Sequence, residues 1–321
     1  MRPWGGLSLF ALSIFIMAGS SVRGEDGPPA WAYPVGPPDF KLPPDDGKLQ
    51  HVPDSEMAYS IPQTRDRFFA PDWHPGDHPP MPSIVAFGRK PEVFACGFCH
   101  RADGPGGPEN ASIAGLPTAY IVQQMADFKS GLRGTSVHER VPPNLMIALS
   151  KAITDAEIQA AADYFAGLKP RVTLRVIETD SVPKTYIAGL FLADANTGEK
   201  EPIGERIIEV PEDLHRFENR DARSRFIVYA PIGSIERGKA LATGGDGKTI
   251  QCGTCHGSEL KGVENIPGIA GRSPSYFVRQ LYDLKHGARA GAGSALMKPV
   301  VEKLTTEDMI ALAAYAASLT P

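Results

Sequence analysis

Outside two five-residue motifs the sequence contains no cysteine; it has no excess of basic charge and no apolar run long enough to span a bilayer. Each lack excludes something. All four cysteines sit in the motifs, so none is left over for another disulfide or for a cysteine-ligated sulfur enzyme. A net charge of −4 gives no basic face of the kind nucleic acid requires. The apolar run Leu7 to Ala18 is well short of the roughly 20 residues a spanning helix needs. No cysteine lies near its end, which argues against a lipid anchor. Arg2, that run and the small residues after it read instead as an export signal over residues 1–24, with cleavage near Ala18-Gly19-Ser20 or Val22-Arg23-Gly24. An uncleaved anchor is the alternative. The expected mature chain is soluble and periplasmic, without a transmembrane helix. Glycine and proline, by contrast, are abundant at 33 and 30, which implies many turns and long irregular connections.

The motifs are Cys96-Gly97-Phe98-Cys99-His100 and Cys252-Gly253-Thr254-Cys255-His256. A thioredoxin-type redox pair has no use for the histidine, and a zinc site needs two such pairs close together rather than about 150 residues apart. CxxCH is the attachment signal for c-type haem: both cysteines form thioethers and the histidine becomes an axial iron ligand. Two copies in an exported chain imply two covalently bound haem c groups.

The chain repeats itself. An offset of 156 residues superposes the motifs, Ile113-Ala114-Gly115 on Ile269-Ala270-Gly271, Tyr120 on Tyr276, Gln124 on Gln280, Asp127 on Asp283 and Arg133 on Arg289. Beyond the arginines an offset of 151 matches Leu145-Met146 to Leu296-Met297, Thr154 to Thr305 and Tyr164 to Tyr315. The first copy is thus five residues longer between arginine and methionine, and the architecture is a duplication. Each copy reads as helical. Ser273-Pro274 opens a helix, with Tyr276, Phe277, Gln280, Leu281 and Leu284 on one stripe; Tyr120, Ile121, Gln124, Met125 and Phe128 form the equivalent stripe. Gly131 and Gly287 fall at helix C-caps. Thr154 with Glu157, and Thr305 with Asp308, start the last helices; Ala162 and Ala313 would let those helices cross a neighbour closely.

Iron needs a sixth ligand opposite His100 and His256. Met146 and Met297 are the methionines that align between copies, each expected in a loop between helices; core packing is the alternative for both. For Met146 there is also a competitor, His138, in the lengthened segment. His286 reads as a surface residue.

On these motifs the sequence resembles the di-haem class I cytochromes c, over residues of about 82–170 and 232–321. The resemblance implies His/Met ligation at both irons. It also implies a loop proline whose carbonyl meets the ligand histidine: Pro267 fits, whereas the first copy has Ala111, which puts that contact in question. Tyr120, Tyr276, Arg133 and Arg289 are implied to line the haems or their propionates. From the residues alone the tyrosines could equally be core and the arginines helix-end caps.

Residues 25–81 are proline-rich, and their aromatic residues suggest an extended arm lying over the domains rather than disorder. His74, Asp77 and His78 could form a metal site, though a proline-rich loop with exposed histidines is the plainer reading. Residues 171–231 carry β-prone runs over Val172–Ile177, Ile207–Val210 and Phe226–Tyr229, with a turn at Asn196-Thr197-Gly198. They form a small β-rich connector expected to pack between the haem domains, or else a docking surface. The expected fold is mainly α: two tandem haem domains, 82–170 and 232–321, plus arm and connector. The expected function is electron transfer between other redox proteins (dehydrogenase, oxidase or reductase), with no catalytic residue. The alternatives are a cytochrome subunit accepting electrons from a periplasmic dehydrogenase, or a di-haem peroxidase-type enzyme.

Overall fold

Residues of the two copies fold as helices where caps and apolar spacing coincide. In the computed structural model, which describes Met1 and residues 27–321, the proline-rich arm contributes β1 (Leu49–Gln50), β2 (Tyr59–Ser60) and α1 (Ile61–Arg65). The first copy follows with α2 (Ser83–Ala86), α3 (Cys96–His100), α4 (Thr118–Lys129), α5 (Val141–Ala152) and α6 (Asp155–Ala166). The connector supplies β3 (Leu174–Glu178), β4 (Ser181–Pro183), β5 (Thr185–Ala188), β6 (Phe191–Asp194), β7 (Lys200–Pro202), β8 (Ile208–Pro211), α7 (Leu214–Glu218) and β9 (Phe226–Ala230). The second copy comprises α8 (Ser234–Gly244), α9 (Gly253–His256), α10 (Pro274–Lys285), a 3₁₀ turn (Ala292–Leu296), α11 (Lys298–Val301) and α12 (Thr306–Ser318). The expected leader, Met1 aside, lies outside the described residues. No helix among the described residues is long and apolar enough to cross a membrane.

The caps form as the sequence dictates. Thr154 and Glu157 exchange both capping-box hydrogen bonds at α6, and Thr305 and Asp308 do so at α12. The Ser273 hydroxyl accepts from the Tyr276 amide at α10. Gly131 and Gly287 both take φ +77°, the left-handed turn that ends α4 and α10. Ala162 and Ala313 are fully buried, but the tightest helix crossing in the second copy lies elsewhere. A Cβ added to Gly238 of α8 would stand 2.0 Å from the Ala311 carbonyl oxygen of α12.

The connector is a three-stranded sheet, β3 parallel to β9 and β9 antiparallel to β8, with two antiparallel pairs, β4/β7 and β5/β6. Asn196 and Gly198, both at positive φ, make the turn between β6 and β7. The sheet lies on the second copy, where the buried Glu209 of β8 accepts from the Ser273 hydroxyl (2.6 Å) and the Ser275 amide (3.2 Å) at the start of α10. Its α7 segment lies on the first copy: Arg220 sits 3.5 Å over the Phe98 ring and donates to the Phe98 carbonyl. The arm touches both copies. Ala32 and Tyr33 enter the core around α10 and α12, and the Trp73 indole N–H donates to the Asn219 carbonyl of the connector. His74 pairs with Asp221, His78 with Asp72, and Asp77 with Arg223. These three side chains therefore point to separate partners. Among the described residues no group of three or more His, Cys, Asp or Glu could hold a metal ion.

Candidate functional site

Each CxxCH motif occupies a single helical turn, α3 or α9, which places its two cysteines three residues apart on one face. Both turns end in a residue at positive φ, Arg101 (+69°) and Gly257 (+81°), that redirects the chain into the following loop. Glycine adopts this freely. Arg101 is held there by Glu109, 3.3 Å away, and by the Phe217 ring beneath its guanidinium.

The loops return to the histidines. His100 Nδ1 lies 2.8 Å from the Ala111 carbonyl oxygen and His256 Nδ1 2.8 Å from that of Pro267. Donation from Nδ1 fixes the tautomer with a bare lone pair on Nε2, and burial pushes both imidazoles toward the neutral form. The contact put in question at Ala111 is present, because the acceptor is a main-chain carbonyl and any residue supplies it. Burial pushes the thiol of Cys96 up to about 12 and that of Cys252 up to about 11. A disulfide-exchanging pair needs the opposite shift.

All eight motif side chains, Cys96, Cys99, His100 and Met146 with Cys252, Cys255, His256 and Met297, line one continuous cavity of about 1420 Å³. That exceeds the ≈ 300–1,000 Å³ of ordinary single-ligand pockets. Its walls include the two helical stripes read from the sequence: every residue of both stripes lines the cavity. Val278 and Tyr282 of α10 face the core instead, and Leu281 and Leu284 border both. This explains why tyrosine and glutamine belong to stripes that are otherwise apolar.

Met297 caps the 3₁₀ turn and begins α11, as a connecting position should, but Met146 is inside α5 rather than in a loop. The reason is local: Pro142 and Pro143 sit in the first turn of α5, where the missing N–H costs nothing and the fixed φ favours a helix start. His138 is exposed and does not line the cavity. His286 is exposed and stacks on Tyr282.

Where the copies meet, the arginines cross over. Arg133 donates to Gln124 of its own copy (2.8 Å) and to Tyr276 of the other (2.8 Å). Arg289 donates to Gln280 of its own copy (3.1 Å) and to Tyr120 of the other (2.9 Å). The two Gly-x-Arg turns also pair as an antiparallel bridge, Gly134 N–H to Ala288 O and Ala290 N–H to Leu132 O, both 2.7 Å. A repeat seen in sequence shows that both arginines have partners, but not that each partner is in the opposite copy. Three arginines of the cavity wall each bury a guanidinium nitrogen without a hydrogen-bond partner: Arg101 Nε, Arg140 Nη2 and Arg289 Nε. A large, mainly apolar cavity with paired thiols, Nε2 lone pairs, thioethers and orphaned guanidinium nitrogens fits a flat apolar macrocycle bearing carboxylates.

Comparisons with known proteins identify the family. A family model described as cytochrome c matches residues 235–320. The chain is 33% identical over 235 residues to a cytochrome c4 of Azotobacter vinelandii, covering 70% of this chain and 84% of that protein. It is 27% identical over 231 residues to a thiosulfate dehydrogenase electron acceptor of Thiomonas intermedia, covering 71% of this chain and 80% of that protein. A solved thiosulfate dehydrogenase from Marichromatium purpuratum aligns at 26% identity and a TM-score of 0.49; the alignment covers 73% of this chain and 38% of that one.

Proposed function

The chain belongs to the cytochrome c4 family of di-haem cytochromes c, and from that premise we propose that it binds one haem c in each repeat and carries single electrons between periplasmic redox proteins. The observation that carries the reading is the duplicated donor set in one cavity: two thiols, a histidine with its tautomer fixed and a methionine, twice over. Cys96 and Cys99, and Cys252 and Cys255, would form the thioethers; His100 with Met146 and His256 with Met297 would hold the irons. Haem held by histidine and thioether takes up and releases one electron at a raised potential and leaves no open position for substrate.

The protein's own part is positional. The Ala111 and Pro267 carbonyls keep Nε2 of each histidine free for the metal. The stripes of α4 and α10 exclude water. Tyr120, Tyr276, Arg133 and Arg289 stand where carboxylates of the cofactors can be met, and their crossed hydrogen bonds hold the two repeats in register. Haem domains at 82–170 and 232–321, with arm and connector packed against both, would fix the spacing between the irons. Export by the leader at 1–24 would place the protein in the periplasm.

The name of the Thiomonas intermedia relative, an electron acceptor of a dehydrogenase, favours a dehydrogenase as the donor here, whether met in passing or bound as a partner subunit. Anaerobic reductive titration of the holoprotein is expected to consume two electrons per chain, and the reduced protein is expected not to turn over hydrogen peroxide. Steady peroxide consumption would instead make it a di-haem peroxidase. Because the His256 acceptor is a backbone oxygen, Pro267→Ala is expected to leave the visible spectrum of the holoprotein unchanged. An altered spectrum would mean that the pyrrolidine ring itself shapes the site.

A further inference from the structure

The offset of 156 that superposes the attachment motifs pairs positions standing in opposite surroundings. Phe94, two residues before the first motif, lies under the arm: the Phe68 ring meets it edge-on at 5.2 Å and the Arg67 guanidinium sits 5.2 Å over it. Its counterpart Ile250 is 45% exposed. Phe98, inside the first motif, is buried beneath Arg220 of the connector; its counterpart Thr254 is exposed. Gly107 is buried where an added Cβ would stand 2.9 Å from the Phe217 ring, whereas its counterpart Val263 is 48% exposed. Cys99 is half-buried and Cys255 is exposed.

Each of these covering groups comes from outside the repeats. Arg67 and Phe68 belong to the arm, Phe217 and Arg220 to the connector. Arm and connector also touch each other, since a Cβ added to Gly36 would stand 2.6 Å from the Gly189 carbonyl oxygen. The second copy presents the same face bare. Ile250, Thr254 and Val263 carry no charge, and the charges around them cancel. Glu259 pairs with Lys261 at 3.2 Å, and the exposed Glu264 and Lys298 add one charge of each sign. A small uncharged patch around a cofactor-bearing cysteine suits a transient redox encounter. It also selects its partner, because a charge buried against it without a counter-ion is costly.

We propose that arm and connector close the first attachment motif to redox partners, and that the face around Ile250, Thr254, Cys255 and Val263 docks a redox protein whose own contact face is apolar and uncharged. Electrons then enter and leave the chain through the second repeat, and the first exchanges them only through the second. The inference rests on the di-haem reading and adds that the two sites have unequal access to the outside.

The first test is proton NMR of the full-length holoprotein with a neutral gadolinium chelate. Two sets of haem signals bear on the di-haem reading; which set broadens bears on the inference. The set moved by Met297→Ala marks the second site and is expected to broaden alone. Equal broadening of both sets, or broadening of the other, would overturn the proposal.

The second test locates the exit by stopped-flow oxidation of the reduced holoprotein. One electron passes from each ferrous haem to ferricyanide, which becomes ferrocyanide. At low salt Val263→Glu is expected to slow this oxidation about threefold or more and Val263→Lys to speed it, because the oxidant is a multiply charged anion. Leu49, 58% exposed on the arm, is the control, and Leu49→Glu is expected to change nothing. Oxidation slowed by Leu49→Glu and untouched at Val263 would give the first repeat its own door and overturn the proposal. With a blue-copper protein whose copper edge is ringed by apolar side chains, Val263→Glu and Val263→Lys are both expected to slow transfer. Acceleration by either sign would contradict an uncharged partner face. A concentration-dependent sedimentation coefficient that Val263→Glu abolishes would make a second copy of this chain the occupant instead.

Discussion

Met297→Ala is expected to lower the reduction potential of one haem steeply, leave the other in place, and open one iron per chain to added imidazole or cyanide. Met146→Ala is expected to do the same to the other haem. Axial ligands move haem potentials across a span of about 0.8 V, and a thioether lies toward its high end. Loss of the sulfur should thus exceed any effect of charges in the cavity wall. The first-copy variant is the more informative, since Met146 sits on a helix and His138 is near it in sequence. His138 is exposed and off the cavity, so His138→Ala should change neither potential nor ligand binding. Redox titration and ligand-binding spectra of the three variants check this. A ligand-accessible iron in His138→Ala, with Met146→Ala unaltered, would reverse the assignment.

Gly238→Ala is expected to cost about 3 kcal/mol or more, at the upper end of overpacking penalties, because the obstacle is backbone. The added methyl would stand 2.0 Å from the Ala311 carbonyl oxygen and 2.8 Å from Tyr315 Cβ, so α8 and α12 must move apart. The displacement reaches the second site. The Cys252 amide donates to the Ala242 carbonyl near the end of α8, at 2.9 Å. Thermal unfolding followed at the haem absorption should therefore begin earlier, with the second site affected first. Gly244→Ala, on the same helix but with nothing within 4 Å of the added atom, is the control and should be neutral or slightly stabilising. Equal melting of both variants would show that the α8–α12 crossing is not tight.

These outcomes separate what is written locally in the chain from what depends on assembly. Attachment motifs, capping boxes at Thr154 and Thr305, and the turn glycines at 131 and 287 are short-range chemistry, and all were legible from residue type and spacing. Of the connector's strands β3, β8 and β9 were legible from β-branched runs, and so was the Asn196–Gly198 turn, but the short β4 to β7 were not. Met146, expected in a loop, lies inside α5, which Pro142 and Pro143 help to start at its first turn. The Ala111 contact was in question because the first copy lacks the loop proline, yet alanine carries the same backbone carbonyl. The apolar stripes were seen, but a stripe shows only which residues share a face, not whether that face meets protein or cofactor. The crossed Arg133–Tyr276 and Arg289–Tyr120 pairs, and the Arg140 hydrogen bond to the Pro34 carbonyl, join positions more than a hundred residues apart. No local pattern encodes such pairings; they exist only once the two repeats face each other.

The central claim is two haems in like His/Met sites. The most direct test is the oxidised absorption spectrum of the purified holoprotein, with the weak long-wavelength band of thioether sulfur on ferric haem quantified against total haem. The account predicts two haems per chain and band intensity for two methionines. Intensity for a single methionine, or none, would contradict it.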